Sequence, residues 1–110
     1  MAISFTKNPL RGVITITGSF TANVADSYRG QFVEWIQADP EIRRVVIDLG
    51  AVPFMDSSGL GAVIGMLKRV AERGGELALA RPQTPVKLVL QITRADKMLK
   101  VYDTLEEALA

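Results

Sequence analysis

The sequence predicts a single α/β domain in which helices pack on a mixed β-sheet. Segments with the β-branched, apolar character of strands alternate with segments whose apolar residues recur at helical spacing, a pattern typical of layered α/β folds. A short turn joins the first two strands, which favours antiparallel pairing, whereas helices separate the later strands, which favours parallel crossovers. A chain of 110 residues is enough for one ordinary domain and too short for two.

Five segments have the composition of β-strands. Residues 45–49 are the most apolar of them, which is typical of a central strand buried on both faces. A turn pattern at residues 8–12 separates the first strand from the second, and Gly18 ends the second. The predicted strands are, in order, a short one containing Ile3 and Phe5, then residues 13–17, 45–49, 76–80 and a weaker one at 98–102.

Four segments have the pattern of helices. Asn23 or Thr21 is positioned to cap the first helix, and Gly74 with Gly75 is a strong stop for the second. On the third helix, Val86, Val89, Leu90 and Ile92 are expected to face inward. The predicted helices are residues 24–37, about 58–73, about 85–93 and a short capped helix within 103–109.

Composition excludes several classes of function. The net charge is +1, with 13 basic and 12 acidic residues, so charge gives no reason to expect nucleic acid or an anionic membrane as a partner. The chain has no cysteine and no histidine, which removes thiolate metal sites, the commonest metal ligand and the usual general base. A Ser-His-Asp triad cannot be built within one chain. We therefore predict no catalytic residue, no metal site and no cofactor.

The apolar stretches are short. None approaches the roughly 20 residues that span a bilayer, and the first residues lack the apolar run of a signal peptide. We therefore expect a cytoplasmic protein without membrane insertion.

The most informative segment is residues 54–61, Phe-Met-Asp-Ser-Ser-Gly-Leu-Gly, which follows the central strand and opens a helix. One interpretation is purely structural: Asp56, Ser57 and Ser58 cap the helix, since these residue types are the preferred caps. Gly61 and Gly65 are then expected to let the helix approach the sheet closely. The other interpretation is a switch, because a phosphate on a serine at a helix N-terminus is tolerated by its own domain but repels a surface packed over it.

Three neighbouring side chains carry further expectations. If Met55 and Leu60 are exposed beside the serines, they are natural apolar anchors for a partner. Asp48, near the end of the central strand, is expected to accept hydrogen bonds from loop amides.

The strand at residues 45–49, followed by Met-Asp-Ser-Ser-Gly-Leu-Gly, resembles the STAS domain and, more narrowly, bacterial anti-sigma factor antagonists. The resemblance continues through Val63-Ile64-Gly65 to the Gly74-Gly75 turn and covers nearly the whole chain. It implies one STAS domain over residues 1–110, with a mixed sheet and helices packed largely on one face. It also implies a regulatory binding protein rather than an enzyme, expected to be a monomer.

In that family, the unmodified antagonist binds an anti-sigma factor that is also a serine kinase, and a sigma factor is released. The kinase then phosphorylates the first serine after the aspartate, and a serine phosphatase resets the cycle. By motif, that serine is Ser57, with Ser58 as a secondary site. The resemblance places partner contacts at Met55, Asp56, Ser58, Gly59 and Leu60, and at Thr21 in a second loop.

The sequence departs from the family after the second strand. Family members often have Gly-Glu-Leu-Asp there, whereas this chain has Gly18-Ser19-Phe20-Thr21, so Ser19 and Thr21 replace the usual acidic residues. In the family this loop lies near the phosphoserine loop and helps to form the partner face. Partner contacts at this loop are therefore expected to differ.

Three alternatives remain open from the sequence. The domain could be a constitutive STAS subunit of a signalling or lipid-transport assembly, whose binding does not depend on Ser57. Ser57 could be an enzymatic nucleophile, although the sequence shows nothing that would activate it. The serine loop could bind a nucleotide at the helix N-terminus.

Overall fold

The computed structural model describes residues 1–7 and 10–110, and it contains a mixed five-stranded sheet. The strand order is β1-β2-β3-β4-β5; β1 pairs with β2 antiparallel, and the remaining neighbours pair in parallel, as predicted. The predicted turn at residues 8–12 lies partly outside the described residues. The strands are β1 (Ala2–Lys7), β2 (Arg11–Thr17), β3 (Arg44–Ala51), β4 (Glu76–Ala80) and β5 (Lys100–Tyr102).

Strand β3 lies in the centre of the sheet, and residues 45–49 are buried, as their apolar run predicted. Its side chains alternate between the two faces, so Ile47 lies in the main core and Val46 in a smaller cluster on the opposite face. The weak last strand is shorter than predicted, because a 3₁₀ turn at Ala95–Lys97 precedes it.

Three of the four helices pack on one face of the sheet, which confirms the predicted arrangement. Phe32, Val63 and Leu90, one from each of these helices, belong to the same buried core. The short C-terminal helix lies on the other face, where Ala108 packs among small side chains of β3 and β4. The helices are α1 (Ala22–Ala38), α2 (Ser57–Glu72), α3 (Thr84–Ile92) and α4 (Leu105–Leu109).

Helix ends follow the predicted signals closely. Thr21 is the N-cap residue of α1, but its side chain makes no capping hydrogen bond. Helix α2 ends before Gly74, which adopts a left-handed conformation with φ of 74°, and the amide of Gly75 donates to the carbonyl of Val70. The glycine pair therefore stops α2 as expected.

Two expectations about helix faces were wrong. Ile92 is 74% exposed, because Val86 and Leu90, one turn apart, define the buried face of α3 and Ile92 lies well around the helix from them. Gly61 and Gly65 do not bring α2 close to the sheet: a Cβ at Gly61 would meet no neighbour, and one at Gly65 would contact Arg29 of α1.

Candidate functional site

The segment that opens α2 is fastened to the loop that opens α1. Phe20 and Met55 form an isolated parallel bridge, and the amide of Phe20 donates to the carbonyl of Phe54 at 2.9 Å. Both loops follow the carboxyl ends of parallel strands, which place them at the same edge of the sheet. The loop containing Thr21 therefore lies beside the serine loop.

Asp56 caps two helices with one carboxylate. As N-cap of α2, it accepts a hydrogen bond at Oδ1 from the amide of Gly59, at 2.9 Å. Its Oδ2 accepts a second hydrogen bond from the amide of Ala22, the first residue of α1, at 3.1 Å. The hydrogen bond from Gly59, aided by that from Ala22, lowers the pKa of Asp56 below its usual value. Asp56 therefore has an orienting role.

Gly59 is the tightest position in the site. It is buried, and an added Cβ would overlap the carbonyl oxygen of Phe20 and lie 2.9 Å from the Cγ of Met55. The loop before α1 covers Gly59, so a partner contact at this residue stays a prediction. It permits the two loops to pack closely.

Ser57 and Ser58 are both exposed in the first turn of α2. Among the described residues, neither side-chain hydroxyl has a hydrogen-bond partner, because Asp56 already supplies the cap. Ser58 lines a groove of about 320 Å³ between α1 and α2, which is also lined by Ala22, Arg29 and Gly61. The structure thus leaves both hydroxyl groups accessible.

The two expected apolar anchors are not on the surface. Met55 is completely buried beneath the bridge to Phe20, and Leu60 is 7% exposed. The exposure on which their role as apolar anchors depended is therefore absent, and their contact with a partner stays a prediction. Phe54, which immediately precedes Met55 and was not among the predicted site residues, is 47% exposed. A signal existed: a chain extended at Met55 turns adjacent side chains to opposite sides.

Thr21 lies at the same edge of the sheet as the serines and is partly buried. Its carbonyl accepts hydrogen bonds from the amides of Val24 and Ala25, which start α1. The position is compatible with a partner contact, although its neighbour Ala22, through its bond to Asp56, makes the direct link between the loops.

Asp48 also stands near the carboxyl edge of the sheet. The amide of Gly50 donates to its Oδ1 at 3.0 Å, but Gly50 belongs to β3, so the donor is a strand amide rather than the expected loop amide. Arg81 adds a bidentate pair that sequence analysis missed, with Nε and a terminal nitrogen at 3.0 and 2.9 Å from the two carboxylate oxygens. This pairing raises the pKa of Arg81. The cluster leaves Asp48 satisfied and gives it a structural role.

The described part of the chain lacks both a cluster of metal ligands and a membrane-spanning helix. No group of three or more histidine, cysteine, aspartate or glutamate residues there could hold a metal ion. Across residues 1–7 and 10–110, no helix has both the length and the apolar character needed to cross a membrane.

Comparison with known proteins identifies the class. The STAS domain model matches residues 2–108, and the chain therefore belongs to the STAS domain family. This confirms the resemblance carried by residues 45–49 and 54–61.

Particular relatives narrow the class further. The chain is 32% identical over 97 residues to an anti-sigma F factor antagonist of Paenibacillus polymyxa, covering 88% of this chain and 82% of that protein. An anti-sigma-factor antagonist (STAS) domain protein from Planctomyces limnophilus superposes with a TM-score of 0.86 at 29% identity, covering 97% and 94% of the two chains.

A more distant structure shares the fold. The Bacillus cell fate determinant SpoIIAA, in its phosphorylated form, superposes with a TM-score of 0.74 at 23% identity, covering 98% of this chain and 96% of that one. STAS anti-sigma factor antagonists are regulatory binding proteins rather than enzymes, and the chain falls in this class.

Proposed function

We propose that this chain is an anti-sigma factor antagonist controlled by phosphorylation of Ser57. In its unmodified form it binds an anti-sigma factor that is also a serine kinase, and that binding releases a sigma factor. The kinase transfers the γ-phosphoryl group of ATP to the Ser57 oxygen, which loses its proton as ADP leaves. A serine phosphatase hydrolyses the ester with water and restores the hydroxyl.

The exposed, unused hydroxyl of Ser57 carries this proposal. Asp56 supplies the cap of α2, so the fold does not depend on the serine side chain. A kinase could therefore modify Ser57 without first opening the domain. Ser58 is also exposed, but it faces the groove between α1 and α2, which makes it the secondary candidate.

Local electrostatics supports a switch that acts on the partner. A phosphate at Ser57 adds about −1.5 to −2 charges at neutral pH. The N-terminal amides of α2 favour that charge, while the Asp56 carboxylate disfavours it and is itself held by two amides. The domain is expected to remain folded while any surface packed over Ser57 is repelled.

The surrounding residues divide into contacts and supports. Thr21, Asp56 and Ser58 are at least partly exposed around Ser57, and we assign them to the partner surface. Met55, Gly59 and Leu60 are buried and hold that surface in place. Because Thr21 and Ser19 carry no charge, the partner is expected to lack the basic contacts that acidic residues in this loop would attract.

The relatives support the same assignment. The similar protein from Paenibacillus polymyxa is described as an antagonist of anti-sigma F factor. SpoIIAA is described in both an unphosphorylated and a phosphorylated form. These descriptions concern those proteins, and they make a phosphorylation switch the first hypothesis to test for this chain.

The test uses wild-type protein, Ser57→Ala and Ser57→Asp as baits in lysate of the source organism. Mass spectrometry identifies captured proteins and locates phosphate on the recovered bait. We expect wild type and Ser57→Ala to capture a kinase-type anti-sigma factor and Ser57→Asp to lose it. Capture of the same proteins by all three baits would instead favour a constitutive STAS subunit, with the Asp56-Ser57-Ser58 segment only capping a helix.

A further inference from the structure

Phe54 is an unusual side chain for the rim of this site. It is large and apolar, it is 47% exposed, and it precedes Ser57 by three residues, which places the two Cα atoms at most about 11 Å apart. Its neighbour Met55 is fully buried, so the exposure of Phe54 does not reflect a loosely packed segment.

The backbone that carries Phe54 is fixed by hydrogen bonds. Its carbonyl accepts from the amide of Phe20 at 2.9 Å, and the amide of Asp56 donates back to the carbonyl of Phe20 at 3.4 Å. The intervening Met55 forms the bridge with Phe20. Phe54 is thus presented on a fixed segment, so a partner that covers it pays little entropy to order the loop.

We propose that Phe54 is the apolar anchor of the partner surface and inserts into an apolar pocket of the anti-sigma factor beside the region that receives Ser57. The inference rests on the proposed function and adds to it the chemistry of the contact. Charge repulsion from phosphoserine explains release, but an uncharged serine gives little affinity by itself. Aromatic side chains buried at the centre of an interface commonly supply that affinity.

This arrangement also accounts for how a small modification could release the partner. Phe54 and Ser57 are three residues apart on a segment fixed by hydrogen bonds, so the proposed pocket for the ring would bring the partner surface close to the serine. A phosphate would then be forced against the covering surface. The short spacing between Phe54 and Ser57 would therefore let a phosphate on Ser57 weaken the contact made by Phe54.

The experiment measures binding of the purified kinase-type anti-sigma factor that the wild-type bait captures. Titration calorimetry, in buffer without ATP, compares wild type, Phe54→Ala, Phe54→Leu and Ser57→Asp. Leu88→Ala is the matched control, because Leu88 is a 52% exposed apolar residue on α3. Thermal unfolding of each variant checks that the exposed substitutions leave the fold intact.

We expect Phe54→Ala to weaken binding about 10- to 100-fold, Phe54→Leu to lose much less, and Leu88→Ala to bind like wild type. If Phe54→Ala binds with wild-type affinity while Ser57→Asp loses affinity, Phe54 is not the anchor of the partner surface. That result would still support control by phosphorylation of Ser57. Lost affinity in Phe54→Ala with none lost in Ser57→Asp would support the anchor and contradict the switch. If wild type captures no such factor, both proposals fail.

Sedimentation velocity of wild type and Phe54→Ala tests whether Phe54 instead binds a second copy of this chain. The anchor predicts that the two proteins sediment alike in the absence of the anti-sigma factor. A wild-type dimer that Phe54→Ala dissociates would show that the ring binds a second copy of the chain and would overturn the proposal.

Discussion

The carboxylate of Asp56 accepts a hydrogen bond from the amide of Ala22 at 3.1 Å, although 34 residues separate them in the chain. The same carboxylate caps its own helix, so α1 and α2 begin at one shared negative charge. Neither helix has an acidic residue in its first turn. Asp56 therefore offsets the positive ends of two helix dipoles at once.

The opposite ends of the same helices are joined by a positive charge. Arg73, which ends α2, donates to the carbonyls of Ile36 and Asp39 at the end of α1, each at 2.6 Å. The hydrogen bonds of Asp56 and Arg73 thus hold α1 against α2 at both ends. Ser57 and Ser58 lie at the N-terminal end, next to Asp56.

The shared cap predicts a pH-dependent contribution to stability. The pKa of Asp56 is lowered in the folded state, so its stabilisation is fully present above the unfolded value, near 3.8, and is lost as the pH falls through the folded value. Asp56→Asn should be less stable than wild type at pH 7. We expect the gap in urea midpoint to narrow steadily below about pH 4.

Asp26→Asn serves as the control for removal of an acidic charge from α1, because the side chain of Asp26 is 97% exposed. Because the side chain lies almost wholly in solvent, Asp26→Asn should have nearly the wild-type urea midpoint at pH 7. A gap for Asp56→Asn that persists unchanged at pH 2 would show that the charge of Asp56 is not what stabilises the two helices.

Two glycines on α2 should respond to alanine with opposite signs. Gly59→Ala forces a methyl group onto the carbonyl of Phe20 and should cost roughly 1–3 kcal/mol in the free energy of unfolding. Gly61→Ala has open space and a helical backbone, so it should gain roughly 0.5–1 kcal/mol. Chemical denaturation at pH 7 checks both; equal effects would contradict the close packing at Gly59.

Removal of the Arg81 side chain should lower the free energy of unfolding, because it takes away the ionic partner of the buried Asp48 carboxylate. Arg81→Ala leaves Asp48, which is 6% exposed, with only the amide of Gly50. We expect the free energy of unfolding to fall by about 1 kcal/mol, below the usual range for hydrogen bonds to a charged group, because the Arg81 side chain is 51% exposed and solvent screens the pair.

Arg94→Ala is the matched control for Arg81→Ala. Both arginines adopt left-handed backbone conformations, with φ of 57° and 61°, so the backbone cost of alanine is the same at each. Within residues 1–7 and 10–110, Arg94 forms no ion pair. If urea unfolding gives equal losses for the two variants, the pair with Asp48 contributes nothing.

Local patterns were enough to predict the elements and their layering. Helical spacing, the apolar run at residues 45–49 and the Gly74-Gly75 stop each act over a few neighbouring residues, and the structure agrees with them. The antiparallel first pair followed from the short turn alone.

The geometry of the site depends on contacts that the local pattern does not contain. Arg81 reaches Asp48 across 33 residues, and Phe20 covers Gly59 from another loop. A long-range contact also explains why Phe54, and not Met55 as expected, is the exposed apolar residue. The bridge between Met55 and Phe20 leaves Met55 buried and Phe54 exposed. Such long-range pairings emerge only when the strands are placed side by side.

The proposed switch requires that a phosphate on Ser57 abolish binding of the anti-sigma factor. The most direct measurement is titration calorimetry of the purified factor with three forms of this chain: unmodified, with phosphoserine installed at 57, and with phosphoserine installed at 58. We expect tight binding by the unmodified form and a loss of at least about 100-fold with phosphate at 57, a coupling of nearly 3 kcal/mol. Equal affinity of the unmodified chain and the chain phosphorylated at 57 would contradict the account.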